Sequence, residues 1–171
     1  MKLTDILPVE RWAELEEDIY NRSGLDAYVY DTDGMSITEF KRWANRLCPI
    51  IKANNKGLAF ICALANQTMA NEAIKKKGPV IGECDAGLLK VAVPIFVGDE
   101  FIGVAGGCGL IFHDSEVESF LVHKLTDIDE EEIERLSDDI GKMTTDEAEG
   151  LVEYVQGHVD RIVSDFEKRG K

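Results

Sequence analysis

The chain has 171 residues, of which 44% are hydrophobic, and a formal charge of −14. That is about one domain of chain, with enough apolar side chains for a sizeable core, and an acidity that argues against direct nucleic-acid binding because it repels phosphate. No apolar run reaches the roughly 20 residues of a membrane helix, and Met1–Ile6 has neither the basic head nor the apolar stretch of a signal peptide, so a cytoplasmic protein is expected.

Pro8 stands where a first helical turn begins, and Trp12, Leu15 and Ile19 follow at helical spacing until Gly24 stops the helix. Leu25–Asp31 reads as a strand, and Asp33-Gly34 as a hairpin turn into Met35–Thr38. Phe40, Trp43, Ala44, Leu47, Cys48 and Ile51 form a helical stripe that Pro49 should kink or shorten. Leu58–Ala65 is continuously apolar and reads equally as a buried strand or a helix, whereas Met69–Lys77 is helical and ends at Gly78-Pro79.

Pro79–Phe112 is the most apolar stretch and predicts two or three strands, the last two paired across Gly98-Asp99. In the last strand Ile102, Val104, Cys108, Leu110 and Phe112 share one parity, and Gly103, Ala105, Gly107 and Gly109 the other. One face should therefore be bulky and the other nearly bare, a pattern that marks a bulge or a close approach by another group. Beyond it the chain turns acidic: residues 114–171 carry 18 acidic against 7 basic side chains. Capping boxes are expected at Ser115/Glu118 and Thr144/Glu147, with a short charged helix over Asp127–Ile140 between them. Ala148, Val152, Val155, Val159, Ile162 and Phe166 then form a short heptad-like seam, which suits a helix docked on its own domain or a dimer.

The four cysteines, Cys48, Cys62, Cys84 and Cys108, form no CxxC pair. A chain of this kind uses cysteine as free thiol, metal ligand or redox group before structural disulfide, and the plain reading is four small buried hydrophobes. Yet a helix stripe, an apolar segment, a strand end and the bulky strand face each offer a place from which a thiol can face a shared cavity. Four converging thiolates suit zinc or an iron–sulfur cluster. GVAGGCG lies inside a strand and so fails the context of a nucleotide loop. His113, His123 and His158 are spread through the acidic tail without a catalytic partner. Asp85 beside Cys84 raises that thiol's pKa and argues against a nucleophile, so no catalytic residue is assigned and a cysteine-nucleophile enzyme is the least favoured reading. Trp12, Trp43, Phe60, Phe96, Phe101 and Phe112 are read as core, with one or two of them lining a cavity.

Taken together, SGLDAYVYDTDG (Ser23–Gly34), Cys48, Cys62 ahead of a helix, ECDAGL (Glu83–Leu88), VPIFVGDEFIG (Val93–Gly103) and GGCG (Gly106–Gly109) resemble the PocR-type sensory domain, one of the PAS-like ligand-binding folds. The resemblance covers roughly residues 5–125. It implies a sensor for simple organic compounds or cofactor-like ligands that feeds a kinase, chemoreceptor or transcription factor, with Cys48, Cys62 and Cys84 at the family's cysteine positions. Asp85 stands where the family commonly has His, and Cys108 where it commonly has Gln. The second change completes a set of four thiols. No output segment is legible after residue 125, so the chain is expected to act alone, with a partner protein, or as an input unit.

The expected fold is α/β (α+β): a PAS-like antiparallel sheet of about five strands with flanking helices. Residues 1–125 form the sensory, ligand-binding domain and residues 126–171 an acidic helical extension. The ligand lies between sheet and helices, near Phe60, Cys84, Phe96, Val104 and Cys108, and the terminal helices report its binding to a second copy or a partner protein. The alternative is a redox or metal protein with iron–sulfur or zinc on Cys48, Cys62, Cys84 and Cys108.

Overall fold

The structure, a computed structural model, describes residues 1–170. Four antiparallel strands form the sheet: β1 (Asp26–Tyr30), β2 (Val80–Glu83), β3 (Leu89–Val97) and β4 (Glu100–Phe112), in the order β1-β4-β3-β2. A two-residue fifth strand, β5 (Lys142–Met143), runs parallel to the end of β4. This is the expected PAS-like α+β architecture. β3 and β4 form the expected hairpin, with Val97 opposite Glu100 across Gly98-Asp99.

One face of the sheet is covered by α1 (Leu3–Ile6), α2 (Val9–Ser23) and the C-terminal α8 (Thr145–Arg169). Trp12 is fully buried there, and its indole nitrogen donates to the Leu3 carbonyl at 3.1 Å. α8 starts on the expected capping box: the Glu147 amide donates to Thr144 Oγ1, and Glu147 Oε1 accepts from the Thr144 amide. Its seam residues Ala148, Val152, Val155 and Val159 are buried with Val91, Val93 and Ala105 of the sheet. Of the two uses open to that seam, docking on its own domain is the one seen. The terminal helix is thus part of the main core.

On the opposite face lie α3 (Leu47–Ala53), α4 (Asn55–Gly57), a six-residue π-helix (Leu58–Ala63) and α5 (Leu64–Lys76). α6 (Ser119–Thr126) and α7 (Glu130–Ser137) close one end of this layer.

Several local expectations are corrected. The helix expected from Phe40 begins only at Leu47, because the preceding residues make tertiary contacts instead. Lys41 pairs with Asp26, Phe40 and Ala44 pack on the core, and Asn45 Oδ1 accepts the Cys48 amide at 2.7 Å. Pro49 is the third residue of α3, where an amide has no intrahelical acceptor, so it leaves the helix intact. Met35–Thr38 contributes a single bridge, Tyr30 to Ser36. α6 starts at Ser119 and the Ser115 box does not form, since the Ser115 hydroxyl donates to Glu83 instead.

The lopsided strand also behaves differently from simple alternation. Lys90 pairs with Cys108 but Leu89 with Leu110, which leaves Gly109 as an extra residue at φ +108°. A second register shift falls between Ile95 and Phe96. Across these bulges parity flips, so Val104 faces α5 while Ile102 and Leu110 join the core on the α8 side.

Candidate functional site

Three strands contribute one rung to the sheet face beneath the helices. Asp26 of β1, Cys108 of β4 and Lys90 of β3 are in register. The adjacent rung is Tyr28, Gly106 and Ala92. Tyr28 lies across that rung, and its hydroxyl donates to the Val91 carbonyl at 2.6 Å. A Cβ on Gly106 would stand 2.8 Å from that hydroxyl and 2.0 Å from the Val91 oxygen, so only glycine fits beneath the ring. Tyr30 stacks on Tyr28 at 4.3 Å between centroids. The Lys90 ammonium sits over the Tyr28 ring, 4.2 Å from its centroid.

The helical layer supplies the opposite wall. α3 brings Cys48, Ile51 and Lys52, and the π-helix brings Ile61 and Cys62. The π-turn turns these two toward the sheet while Leu58, Phe60 and Leu64 stay about half exposed. Asn54 anchors its start, accepting the Gly57 amide and donating to the Thr126 carbonyl. The turn after β2 adds Cys84 and Leu88.

All four cysteines, from four different elements, thereby border one chamber of about 40 Å³. Asn45 ties two of its sides together: its amide nitrogen donates to the Gly109 carbonyl at 2.6 Å and lies 3.3 Å from Cys48 Sγ. Tyr30, Asn66 and Lys90 border both this chamber and a wider cleft of about 520 Å³ between α5 and the sheet. Val104, Phe101 and Met69 line that cleft. A larger open groove of about 840 Å³ between α2 and α8 is rimmed by charged side chains and borders none of the thiols.

Charge within the chamber is unbalanced. Asp26 Oδ2 pairs with Lys41 Nζ at 2.5 Å and lies 4.0 Å from Lys52 Nζ, while Oδ1 has no partner among the described residues. Lys90, only 4% exposed overall, forms no ion pair or hydrogen bond among the described residues, and it borders the wider cleft as well as the chamber. Two ammonium groups thus lie within 4.0 Å of one carboxylate, and Lys90 borders the same chamber. Burial raises the Cys62 thiol to about 11, with Lys52 opposing and Cys108 and Cys84 adding to the rise. Burial also raises Cys48, reinforced by Cys108, and raises Cys84 against the opposing amides of Leu88 and Ala86. These three are neutral thiols near neutral pH, a poor state for a nucleophile. Tyr30 is pushed up to about 12, chiefly by burial, with Lys90 opposing. For Lys52, burial disfavours the charge, but Tyr30, Cys108 and Asp26 outweigh it and its pKa is raised.

The sequence model of the sensory domain found in PocR matches residues 5–165. The chain belongs to this PocR sensory-domain family. The match reaches into α8, so the PocR unit includes the helix that completes the main core. No curated protein and no solved structure matches the chain. No helix among the described residues is long and apolar enough to cross a membrane.

Within this PocR domain the structure brings Cys48, Cys62, Cys84 and Cys108 to one chamber and Val104 to the adjoining cleft. Among the described residues, no three His, Cys, Asp or Glu side chains form a group able to hold a metal ion. Phe60 and Phe96 lie elsewhere. Phe60 is on the outer side of the π-helix, 51% exposed. Phe96 packs edge-on to Phe101 and borders a surface depression beside α8. Lys90, Lys52, Asp26, Tyr28, Tyr30 and Asn45 were not anticipated at the site. Lys90 had a signal: it is the one charge in the strand LKVAVPIFV, and a buried lysine requires a reason.

Proposed function

We propose that this sensory domain binds a small molecule between the sheet and the α3–α5 layer and reports it through α8. The observation that supports this reading is the cleft of about 520 Å³ that shares Tyr30, Asn66 and Lys90 with the thiol chamber. Such a site, mostly apolar with a few polar groups, suits a small organic ligand. In this reading Cys84, Cys108 and Val104 contact the occupant. α8 packs on the other face of β3 and β4, so an occupant that favours one arrangement of those strands biases the helix. The outer side of α8 then meets a second copy or a partner protein.

Native mass spectrometry of the anaerobically purified chain, with a thermal-shift screen of small alcohols, acids and amides, tests this. The expected result is a bound mass or a ligand-dependent rise in melting temperature, accompanied by altered exchange of α8 amides. A chain that carries no mass and responds to no compound overturns the reading.

One observation favours a second reading, that of a redox or metal protein: four thiols from remote parts of the chain share one chamber. Cys48, Cys62, Cys84 and Cys108 would then hold an iron–sulfur cluster or zinc. Metal analysis of the same sample tests it, and a metal-free, colourless, folded chain that takes up neither iron nor zinc overturns it.

A further inference from the structure

We propose that the cleft between α5 and the sheet takes a small organic monocarboxylate, with its acid group on Lys90 and its apolar body along β4; this rests on the reading of the domain as a small-molecule sensor. Three features of the cleft point there. The first is an uncommitted cation. Lys90 borders the cleft of about 520 Å³ and forms no ion pair or hydrogen bond among the described residues. Its nitrogen is not among the unpartnered side-chain atoms sealed from solvent, so it is open to an occupant. Tyr28 holds the ammonium 4.2 Å from its ring centroid, a contact that leaves N–H donors free for a carboxylate. Asp26, the nearby buried acid, is paired with Lys41 and borders the chamber, not the cleft. Lys90 is also the one basic side chain of the cleft among the described residues. A single cation matches a monoanion, whereas a phosphate dianion would find no second one.

The second is a row of free amides. Asn66, Gln67 and Asn71 lie on the side of α5 that borders the cleft, and none of their side chains makes a hydrogen bond among the described residues. Asn66 also borders the thiol chamber, as Lys90 does, so the two stand at the same end of the cleft. An ammonium and an amide N–H there offer one donor to each oxygen of a carboxylate, and a hydrogen bond to a charged oxygen is the stronger kind.

The third is a gradient of polarity along the strands. Lys90 is in register with Cys108 and Asp26, whereas Val104 is in register with Tyr30, farther along β4, and Phe101 lies beyond it. Val104 and Phe101 line the cleft and give its far end an apolar wall. Asp31 and Asp33 follow Tyr30 at that far end, where Asp31 Oδ1 accepts the Asp33 and Met35 amides. Their charge repels an acid group from the mouth and directs it inward to Lys90, with the apolar body toward Val104 and Phe101.

The test uses the full chain and matched probes near neutral pH: butyrate, hexanoate, benzoate and phenylacetate, each titrated calorimetrically beside its own primary amide. The expected result is that at least one acid binds about tenfold more tightly than its amide, the smallest gain that a hydrogen bond to a charged group brings. Lys90→Met should remove that preference and leave acid and amide alike. Lys77→Met removes the same charge from an exposed side chain outside the cleft and should leave the preference intact. Asn66→Asp, at a half-buried position, should weaken the acid and spare the amide. Amides that bind as tightly as their acids, or a preference that survives Lys90→Met, overturn the carboxylate assignment and leave small-molecule sensing standing. Binding of none of the probes also overturns it, and the sensing reading falls with it only when the alcohols of the wider screen fail too.

Discussion

Lys90 reaches across the face of Tyr28, with its ammonium nitrogen 4.2 Å from the ring centroid. A cation–π contact contributes about 0.5–2 kcal/mol, whereas an ammonium left with only the cleft to hydrate it costs more than that. In the protein without an occupant, Lys90→Met should therefore stabilise by about 1–2 kcal/mol, roughly 3–6 °C in melting temperature. The same variant should weaken retention of an anionic occupant. A lower melting temperature for the empty variant would show that the lysine has a compensating partner.

Glu16 introduces a pH dependence. It is fully buried, one oxygen accepts from the Thr38 hydroxyl at 2.6 Å, and the other has no partner among the described residues. Burial, opposed by the Thr38 hydrogen bond, raises its pKa from 4.5 to about 7. Between those values the folded chain holds more protons than the unfolded one, so stability falls as pH rises. The contribution is present in full below about 4.5 and lost by about 7, on the order of 2–3 kcal/mol. Urea unfolding at a series of pH values between pH 5 and pH 8 should show this decline, and Glu16→Gln should flatten it, gaining stability at the upper end.

The thiols should react slowly. With Cys62 raised to about 11 and Cys48 and Cys84 also raised, little thiolate is present at neutral pH. Iodoacetamide labelling of the folded, metal-free chain should be at least about tenfold slower than that of the urea-unfolded chain. One cysteine labelling faster in the folded state would restore the case for a nucleophile.

Asn45 holds three partners: the Gly109 carbonyl, the Cys48 sulfur and the Cys48 amide. Asn45→Ala removes a cap-like bond and a buried bond together and should cost about 2 kcal/mol. Denaturant unfolding measures that loss. Any occupant bound through Cys48 and Cys108 should be lost with it, whereas Phe60→Ala, on the exposed side of the π-helix, should leave occupancy unchanged.

A fragment ending at residue 125 should not fold. It lacks Ala148, Leu151, Val152, Val155 and Val159, which are buried in the main core. At about 1.5–3 kcal/mol per large apolar side chain, that loss rivals the whole stability of a domain. A cooperative unfolding transition from residues 1–125 alone would show that the terminal helix is dispensable.

The sequence made the sheet legible where pattern and turn chemistry agreed, as in the Val97–Glu100 hairpin and the Thr144 capping box. It misled where a tertiary contact outweighed local propensity. The stripe from Phe40 to Ile51 is helical in spacing, yet Lys41 and Asn45 are drawn to Asp26 and Gly109, residues remote in the chain. Bulges hid the facing of β4, because a single extra residue at Gly109 inverts parity and spacing alone cannot register it. The four thiols are legible from their placement on elements. Their lysine companions are not, because charge usually marks surface, and Lys90 is buried. Phe60 was misplaced for a related reason: the continuous apolar run Leu58–Ala65 gives no facing, and a π-turn decides it.

That π-turn makes the segment sensitive to its own length. Each of its rungs spans one residue more than an α-helical rung. Removing a single residue from Leu58–Ala63 would relax the segment into an ordinary α-helix while leaving both flanks close to their present orientation, because the wider π rungs absorb the extra residue locally. Only the facing inside the turn, that of Ile61 and Cys62, would then change. A homologue shorter by one position here would keep the fold and its hydrophobic character, yet would present a different side chain to the chamber.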